Sequence, residues 1–292
     1  MRFGLDESSL KVKGSIFGAV DSILPVLAYN RSMRFGLIFG FVFAMHGVAN
    51  AEVEAHHIRH FRTYESKAIG FNRLVLRGID LVQGRNFNGG GYFIGVKADP
   101  PESPICYPLE LGGNPLLNPP RGTSYCSGAS YAAFIEAMGL YLHLNPRPIM
   151  SEQIEALRMQ EPDGGRREDR VKAWGWWNAD GFGSHYALVQ LMKAGVRVKP
   201  ENAMPGDFVN ISWKGGPGHS VVFLEWRTNA EGVKGLVYWS SQKGTDGLGD
   251  QWVPLSRIDQ VCIVRCTEPE NVLNFDPLGI VERKVEGDRP GE

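Results

Sequence analysis

The sequence lacks the features that several classes of protein require. Its 292 residues carry 31 Lys and Arg against 32 Asp and Glu, which gives a formal net charge of -1. No basic stripe is interleaved with aromatic residues, so a nucleic-acid partner is not indicated. The chain has no internal repeat and no low-complexity tract. Its composition is that of an ordinary globular protein.

Cysteine is scarce, with only Cys106, Cys126, Cys262 and Cys266 in the chain. No C-x-x-C pair occurs, which argues against a structural zinc site. Cys262 and Cys266 lie four residues apart in an extended segment, too far for an easy disulfide with each other. The sequence leaves open whether Cys106 forms a disulfide with one of them.

Two clusters lack the residues that would complete a ligand site. His56, His57 and His60 include the i, i+4 spacing of one helix face, but no carboxylate stands at a suitable spacing. We interpret them as exposed histidines of a leader segment. The glycines of NFNGGG are not followed by a helix with Lys-Ser/Thr, so they predict a turn and not a phosphate-binding loop. We expect no metal and no cofactor.

The N-terminal region contains a three-part export pattern. Arg34 follows Met33, an apolar run extends over residues 35–45, and residues 49–51 read Ala-Asn-Ala. This order of charge, apolar core and small-residue step is typical of a secretory signal peptide. The apolar run is too short for a permanent membrane anchor. Residues 33–51 are therefore predicted to be a signal peptide.

Export predicts a secreted or periplasmic protein with no integral membrane segment after cleavage. The mature chain would begin at Glu52. Residues 1–32 resemble neither a signal nor a domain, and Met33 repeats the MRFG of Met1. We interpret residues 1–32 as a misassigned N-terminal extension.

The order of helical and strand patterns predicts an α+β fold. Residues 71–97 alternate around a Gly-rich turn and are predicted to form a β-hairpin, within an N-terminal hairpin region at 52–105. Ser124 is the expected cap of the first long helix. The further helices and strands are predicted at 124–143, 151–159 and 183–195, and at 207–212, 219–226, 235–241 and 257–265.

Cys126 occupies a position suited to a nucleophile. In GTSYCSGASYAAF it lies at the first turn of a helix, directly after a Gly-bearing loop. The helix dipole and backbone N–H groups there stabilise a thiolate and can hold an oxyanion. The alternative, equally open on this segment alone, is a buried and inert cysteine.

His219 is the candidate base. In MPGDFVNISWKGGPGHSVVFLEW it opens a strand after a Gly-rich turn, and Gly218 leaves room for an approaching group. A histidine at that place can present its ring to a helix N-terminus packed on the sheet. The alternative is an ordinary turn histidine.

Three motifs in this order resemble the NlpC-like and CHAP branch of the papain-like cysteine hydrolases. They are Cys-Ser-Gly at a helix start, Pro-Gly-Asp-Phe-Val in a strand, and Gly-His-Ser-Val-Val in the next strand. The resemblance covers about residues 120–265 and makes 106–292 the expected hydrolase domain. It implies a papain-like fold whose nucleophile helix packs on a central antiparallel sheet, with Cys126 as nucleophile and His219 as base.

The family also uses a polar residue on the next strand to orient the histidine. In GLVYWSSQKG, Ser240 and Gln242 share one strand face, and Gln242 can accept the imidazole N–H through its amide oxygen. We prefer Gln242, with Ser240 as the alternative third member.

An insert between helix and sheet contains AWGWWNADGFGSHY. Trp176, Trp177, Asn178 and Asp180 are predicted to line a substrate groove that binds sugar or peptide, although tryptophans that fill the core are as common. His185 in this insert is the rival base, and we rank it below His219 because no strand presents it to the nucleophile.

The resemblance and the export pattern together imply hydrolysis of amide bonds in cell-wall peptides or glycopeptides. Two alternatives stay open. One is an inactive binding module of the same fold, and the other is a thiol acyltransferase that passes the acyl group to an acceptor other than water. The oligomeric state is not indicated.

Overall fold

The computed structural model describes residues 59–93, 105–117, 122–158, 173–179, 181–283 and 285–291. These residues form a mixed α+β fold in which helices pack against a six-stranded antiparallel sheet. The predicted N-terminal extension and signal peptide lie outside the described residues. No helix in the described part of the chain is long and apolar enough to cross a membrane.

The elements follow one another in an order that places the helices first. The described residues form five α-helices, α1 (His60–Tyr64), α2 (Phe71–Arg85), α3 (Cys126–Leu144), α4 (Ser151–Leu157) and α5 (Ala173–Trp177), which a π-helix (His185–Leu191) follows. A small hairpin consists of β1 (Leu109–Leu111) and β2 (Asn114–Leu117). The large sheet contains β3 (Gly195–Val198), β4 (Phe208–Trp213), β5 (His219–Thr228), β6 (Lys234–Gln242), β7 (Gly247–Pro254) and β8 (Ile258–Cys266). Its strand order is β3-β8-β4-β5-β6-β7.

Helix α2 replaces the predicted β-hairpin, which is therefore wrong. Its buried apolar residues recur at the spacing of one helix face: Phe71, Leu74, Val75, Ile79 and Val82. This is the period of an α-helix and not of a strand. Gly78 lies on the same face. A larger residue does not fit there, because a Cβ would overlap the carbonyl oxygen of Ala133 in α3. A glycine that weakens a helical pattern in the sequence thus serves close packing of two helices.

The other predicted elements are confirmed with small shifts. Helix α3 begins at Cys126, but Ser124 does not cap it, since Tyr125 holds the N-cap position and no side chain caps the helix. Helix α4 is likewise preceded by Met150 at its N-cap, without a capping side chain. All four predicted strands are present as β4, β5, β6 and β8, whereas β3 and β7 were not predicted. The third predicted helix is largely the π-helix.

The two faces of the large sheet carry separate cores. On β5, Val222 and Leu224 join the larger core, which also contains the buried residues of α2 and α3. Val221 and Phe223 belong to a smaller core on the opposite face. Alternation along the strand therefore puts Ser220 on the helix side of the sheet and His219 on the other side.

The Pro-Gly-Asp-Phe motif has a structural explanation. The Asp207 carboxylate is fully buried and accepts hydrogen bonds from the Arg265 guanidinium at 2.8 and 2.7 Å. It also accepts the Asn72 amide at 2.7 Å and the Met204 backbone N–H at 2.8 Å. One carboxylate thus connects α2, the turn before β4 and strand β8, which fixes the sheet against the helices.

Candidate active site

Cys126 is the first residue of α3 and is partly exposed. The backbone two residues earlier is paired on both sides with the Gly-rich loop: Ser124 N–H donates to Gly91 O, and Phe93 N–H donates to Ser124 O, each at 3.0 Å. The predicted Gly-rich turn is confirmed, because Gly89, Gly90 and Gly91 all have positive φ. This turn supports the chain that leads into Cys126.

His219 opens β5 in an aromatic environment. Its ring lies 5.5 Å from the Tyr238 ring in an edge-to-face arrangement and 6.2 Å from the Trp213 ring. The residue is partly exposed, yet its Nε2 is buried. Burial lowers the pKa of His219 to about 4, and a hydrogen bond with Gln242 opposes this lowering. The imidazole is therefore neutral at neutral pH.

Gln242 ends β6 and lies next to His219 across the strands. Val222 pairs with Trp239, and continuation of that antiparallel register sets Gln242 opposite His219. The Gln242 Nε2 group donates to Gly249 O at 3.0 Å and to the Thr245 hydroxyl at 2.6 Å. These bonds fix the amide so that Oε1 is left as an acceptor.

The acceptor and the histidine nitrogen are complementary. Gln242 Oε1 and His219 Nε2 are both buried, and neither has a hydrogen bond of ideal geometry with any described residue. An Nε2–H pointed at Oε1 would satisfy both atoms and leave Nδ1 as the basic nitrogen. Ser240, the alternative third residue, is buried and donates its hydroxyl to Ser220 O at 2.7 Å. Its proton is thus already committed to the backbone.

Two serine contacts join the start of α3 to strands β5 and β6. The Ser124 and Ser241 hydroxyl oxygens lie 2.8 Å apart. On the other strand, the Ser220 hydroxyl donates to Ser130 Oγ at 3.1 Å, and Ser130 Oγ donates to the carbonyl oxygen of Cys126 at 3.1 Å. Because Ser220 follows His219 and Ser241 precedes Gln242, all three candidate catalytic residues lie at the same end of the β5–β6 pair.

Tyr238 contacts the His219 ring, and its pKa is affected by the charge of Cys126. Burial raises the pKa of Tyr238, the charge of Arg257 lowers it, and the charge of Cys126 raises it further. Its ring is the one that contacts His219. On the other side, burial and then the charge of Cys126 raise the pKa of Tyr92, in the Gly-rich loop. The charge of Cys126 thus acts on two tyrosines, one in the Gly-rich loop and one on β6.

His185 lies elsewhere in the fold. It begins the π-helix, and its described neighbours are Tyr186 and Arg197 of the edge strand β3. Burial and the Arg197 charge lower its pKa. Strand β3 is three strands away from β5 in the sheet. The Arg197 side of His185 thus faces the edge strand, although Ser184 before it is hydrogen-bonded to Asn210 of β4.

The predicted tryptophan groove is wrong. Trp177 is fully buried, with its ring 5.0 Å from Phe134 and from Phe208, and Trp176 is buried against Tyr186. A stacking platform must expose a ring face, so both tryptophans belong to the core.

Of the remaining residues in that prediction, Asn178 stays near the site. Its Oδ1 accepts a hydrogen bond from the Ser127 hydroxyl at 2.6 Å, one residue after Cys126. Asp180 lies outside the described residues. Sequence reasoning missed Tyr92 and Trp213, which have no motif of their own.

The described part of the N-terminal histidine cluster is structural. His60 is 1% exposed, so its interpretation as an exposed leader residue is wrong. Its Nδ1 lies 2.9 Å from Asp80 and its Nε2 lies 2.7 Å from Asp250. His56 and His57 lie outside the described residues. Within the described ranges, no group of three His, Cys, Asp or Glu side chains is placed to hold a metal ion.

The open disulfide question is answered for three described cysteines. Cys106, Cys262 and Cys266 form no disulfide. Burial raises the pKa of Cys262 to about 12 and also raises that of Cys266. Both are packed in the larger core, where a thiol is inert.

The chain matches no protein-family model, no curated protein and no solved structure. Its function is therefore inferred from the geometry of the site and from the sequence motifs.

Proposed function

We propose that the protein is an exported cysteine hydrolase of the papain-like superfamily, similar to its NlpC-like and CHAP branch. It cleaves amide bonds through a thioester intermediate, and its substrates are peptides of peptidoglycan. The observation that carries this proposal is the placement of Cys126 at the uncapped start of α3, tied to the strands that hold His219 and Gln242. The substrate class is supported by the sequence resemblance and the export pattern alone.

The first step needs a base that is neutral at working pH. His219 meets this condition because burial lowers its pKa to about 4. The Gln242 amide, fixed by Gly249 and Thr245, accepts the Nε2–H and leaves Nδ1 to take the thiol proton. The sulfur then attacks the amide carbon. A C–S bond forms as the carbonyl π electrons move to oxygen.

The oxyanion needs donors that are already in place. No side chain caps α3 at Tyr125, so backbone N–H groups of its first turn can turn toward a substrate oxygen. The positive end of the helix dipole stabilises the same charge. Removal of one such donor in other enzymes costs about 10²–10³ in turnover.

The intermediate collapses when His219 returns its proton to the leaving nitrogen. The C–N bond breaks, the amine departs, and the acyl group stays on Cys126 as a thioester. His219 then takes a proton from water, whose oxygen attacks the thioester carbon. The C–S bond breaks, the acid is released and the thiol is restored.

The proposal is tested with purified peptidoglycan. The purified protein and its Cys126→Ser variant are incubated with the polymer, and soluble fragments are identified by mass spectrometry. We expect peptides with new amino and carboxyl termini from the wild type only. Fragments joined to an added amine would identify acyl transfer to that acceptor. Intact peptidoglycan in both reactions contradicts the proposed substrate class.

A further inference from the structure

We infer that two pairs of buried serine hydroxyls, Ser124–Ser241 and Ser130–Ser220, are positioning residues that set Cys126 against His219 and Gln242. This inference rests on the proposed function and adds residues to its machinery. None of these serines touches the reacting atoms. Their role is to fix the position of α3 relative to strands β5 and β6.

The first pair fixes the chain that leads into the nucleophile. Ser124 is fully buried and pairs its backbone N–H and C=O with Gly91 and Phe93. Its hydroxyl is 2.8 Å from that of Ser241, which is also fully buried. Ser241 directly precedes Gln242. This contact therefore ties the residue two positions before Cys126 to the residue directly before Gln242.

The second pair fixes the first turn of the helix itself. Ser220 Oγ donates to Ser130 Oγ, which in turn donates to the carbonyl oxygen of Cys126. Two successive hydrogen bonds thus connect Ser220, the neighbour of His219, to the backbone of Cys126. Both serines are shielded from solvent, since Ser130 is fully buried and Ser220 is 5% exposed.

The two strands present their side chains in a way that suits this role. Alternation points Ser220 and Ser241 at the helix, while His219 and Gln242 point to the other face. Each catalytic side chain on the sheet therefore has an immediate neighbour anchored to α3. A single deletion leaves one anchor intact, so the fold survives while the sulfur and the imidazole lose their alignment. Misplacement by about 1 Å can cost roughly 100-fold in rate.

The test measures the pH dependence of iodoacetamide alkylation at Cys126, followed by peptide mass spectrometry on the purified full chain. Variants are Ser124→Ala, Ser241→Ala, Ser220→Ala and the hydroxyl-retaining Ser220→Thr. The control is Tyr186→Phe, because Tyr186 is also buried and its hydroxyl donates to the Arg283 carbonyl oxygen at 3.1 Å, outside α3, β5 and β6. Circular dichroism confirms folding of each protein.

We expect the alanine variants to shift the alkylation midpoint upward by about half a pH unit or more, since one unit reflects only a modest change in interaction. Tyr186→Phe keeps the wild-type midpoint, and Ser220→Thr restores it. Unchanged midpoints in all three alanine variants, with a reactive wild-type thiol, overturn the inference alone. A wild-type Cys126 that reacts as an ordinary thiol overturns the proposed function and this inference together.

Discussion

Two histidines of the described fold, His60 and His219, have opposite environments. His60 has a carboxylate at each ring nitrogen, and although burial lowers its pKa, the charges and hydrogen bonds of Asp250 and Asp80 raise it to about 9. His219 has aromatic rings and one amide around it, and burial lowers its pKa to about 4. His60 is therefore protonated and His219 neutral at neutral pH.

The difference separates a histidine held between two carboxylates from the histidine that we propose as the base. His60 joins α1, α2 and β7, because each of its ring nitrogens is hydrogen-bonded to a carboxylate. His219 begins β5, and the next residue, Ser220, is hydrogen-bonded to Ser130 of α3. Burial alone does not identify a catalytic histidine, whereas the partners of its nitrogens do.

The largest expected effect is on turnover. His219→Ala removes the base, and we expect hydrolysis of peptidoglycan peptides to fall by roughly 10²–10⁴. His185→Ala, on the β3 side of the sheet, should reduce turnover less than threefold by the same reasoning. Turnover is measured by fragment release at saturating substrate. Equal losses in the two variants would remove the distinction between these histidines.

The counterpart at His60 is a loss of stability. His60→Ala leaves Asp80 and Asp250 close together without their shared cation, and breaking a buried ion pair costs about 3–5 kcal/mol. Urea unfolding monitored by tryptophan fluorescence gives the value. Cys126 of the folded variant should be alkylated at the wild-type rate. A stability within 1 kcal/mol of wild type would show that the two carboxylates need no cation.

The same histidine gives a pH dependence of stability. Because its folded pKa of about 9 exceeds the ordinary value of 6.5, its contribution is complete below pH 6.5 and is lost as pH rises through 9. We expect the free energy of unfolding to fall over this window by up to about 3 kcal/mol. His60→Gln should remove this part of the slope. Parallel curves for the two proteins would contradict the raised pKa.

The positions of two candidate residues in the fold were predictable because local sequence pattern determines them. Cys126 at a helix start and His219 at a strand start follow from glycine, helix and strand signals within short windows. The prediction of a hairpin at 71–97 was wrong because Gly78 weakened the helical pattern in the sequence. The reason for that glycine is the close approach of α3, which the sequence does not show. The prediction of a tryptophan-lined groove was wrong because composition alone does not tell which aromatic rings face solvent.

A smaller effect is expected at the residue that orients the base. Gln242→Ala removes the acceptor for Nε2–H and should lower turnover about 10-fold, the value of one hydrogen bond to a developing charge. Ser240→Ala should lower it less, since the Ser240 hydroxyl donates to a backbone carbonyl. Urea unfolding checks that both variants fold. The reverse ranking would move the orienting role to Ser240.

The smallest expected effect is the change of kcat/KM when the pH is lowered below 7. A base with a pKa of about 4 stays neutral as pH falls to 5.5, so kcat/KM should drop less than twofold between pH 7 and 5.5. An imidazole at the ordinary value of 6.5 would lose about 10-fold at pH 5.5. A pH profile of kcat/KM with a soluble peptide substrate distinguishes these outcomes.

The most direct test of the central claim is the alkylation of Cys126 by iodoacetamide as a function of pH, in wild type, His219→Ala and His185→Ala. The positive end of the helix dipole favours the thiolate, and His219, neutral before the reaction, is the proposed acceptor of the thiol proton. We expect the wild-type thiol to react well below pH 8.5, the approximate pKa of an ordinary cysteine. His219→Ala should shift the profile upward and His185→Ala should leave it nearly unchanged. A wild-type thiol that reacts no faster than an ordinary cysteine, with no change in His219→Ala, would contradict the account.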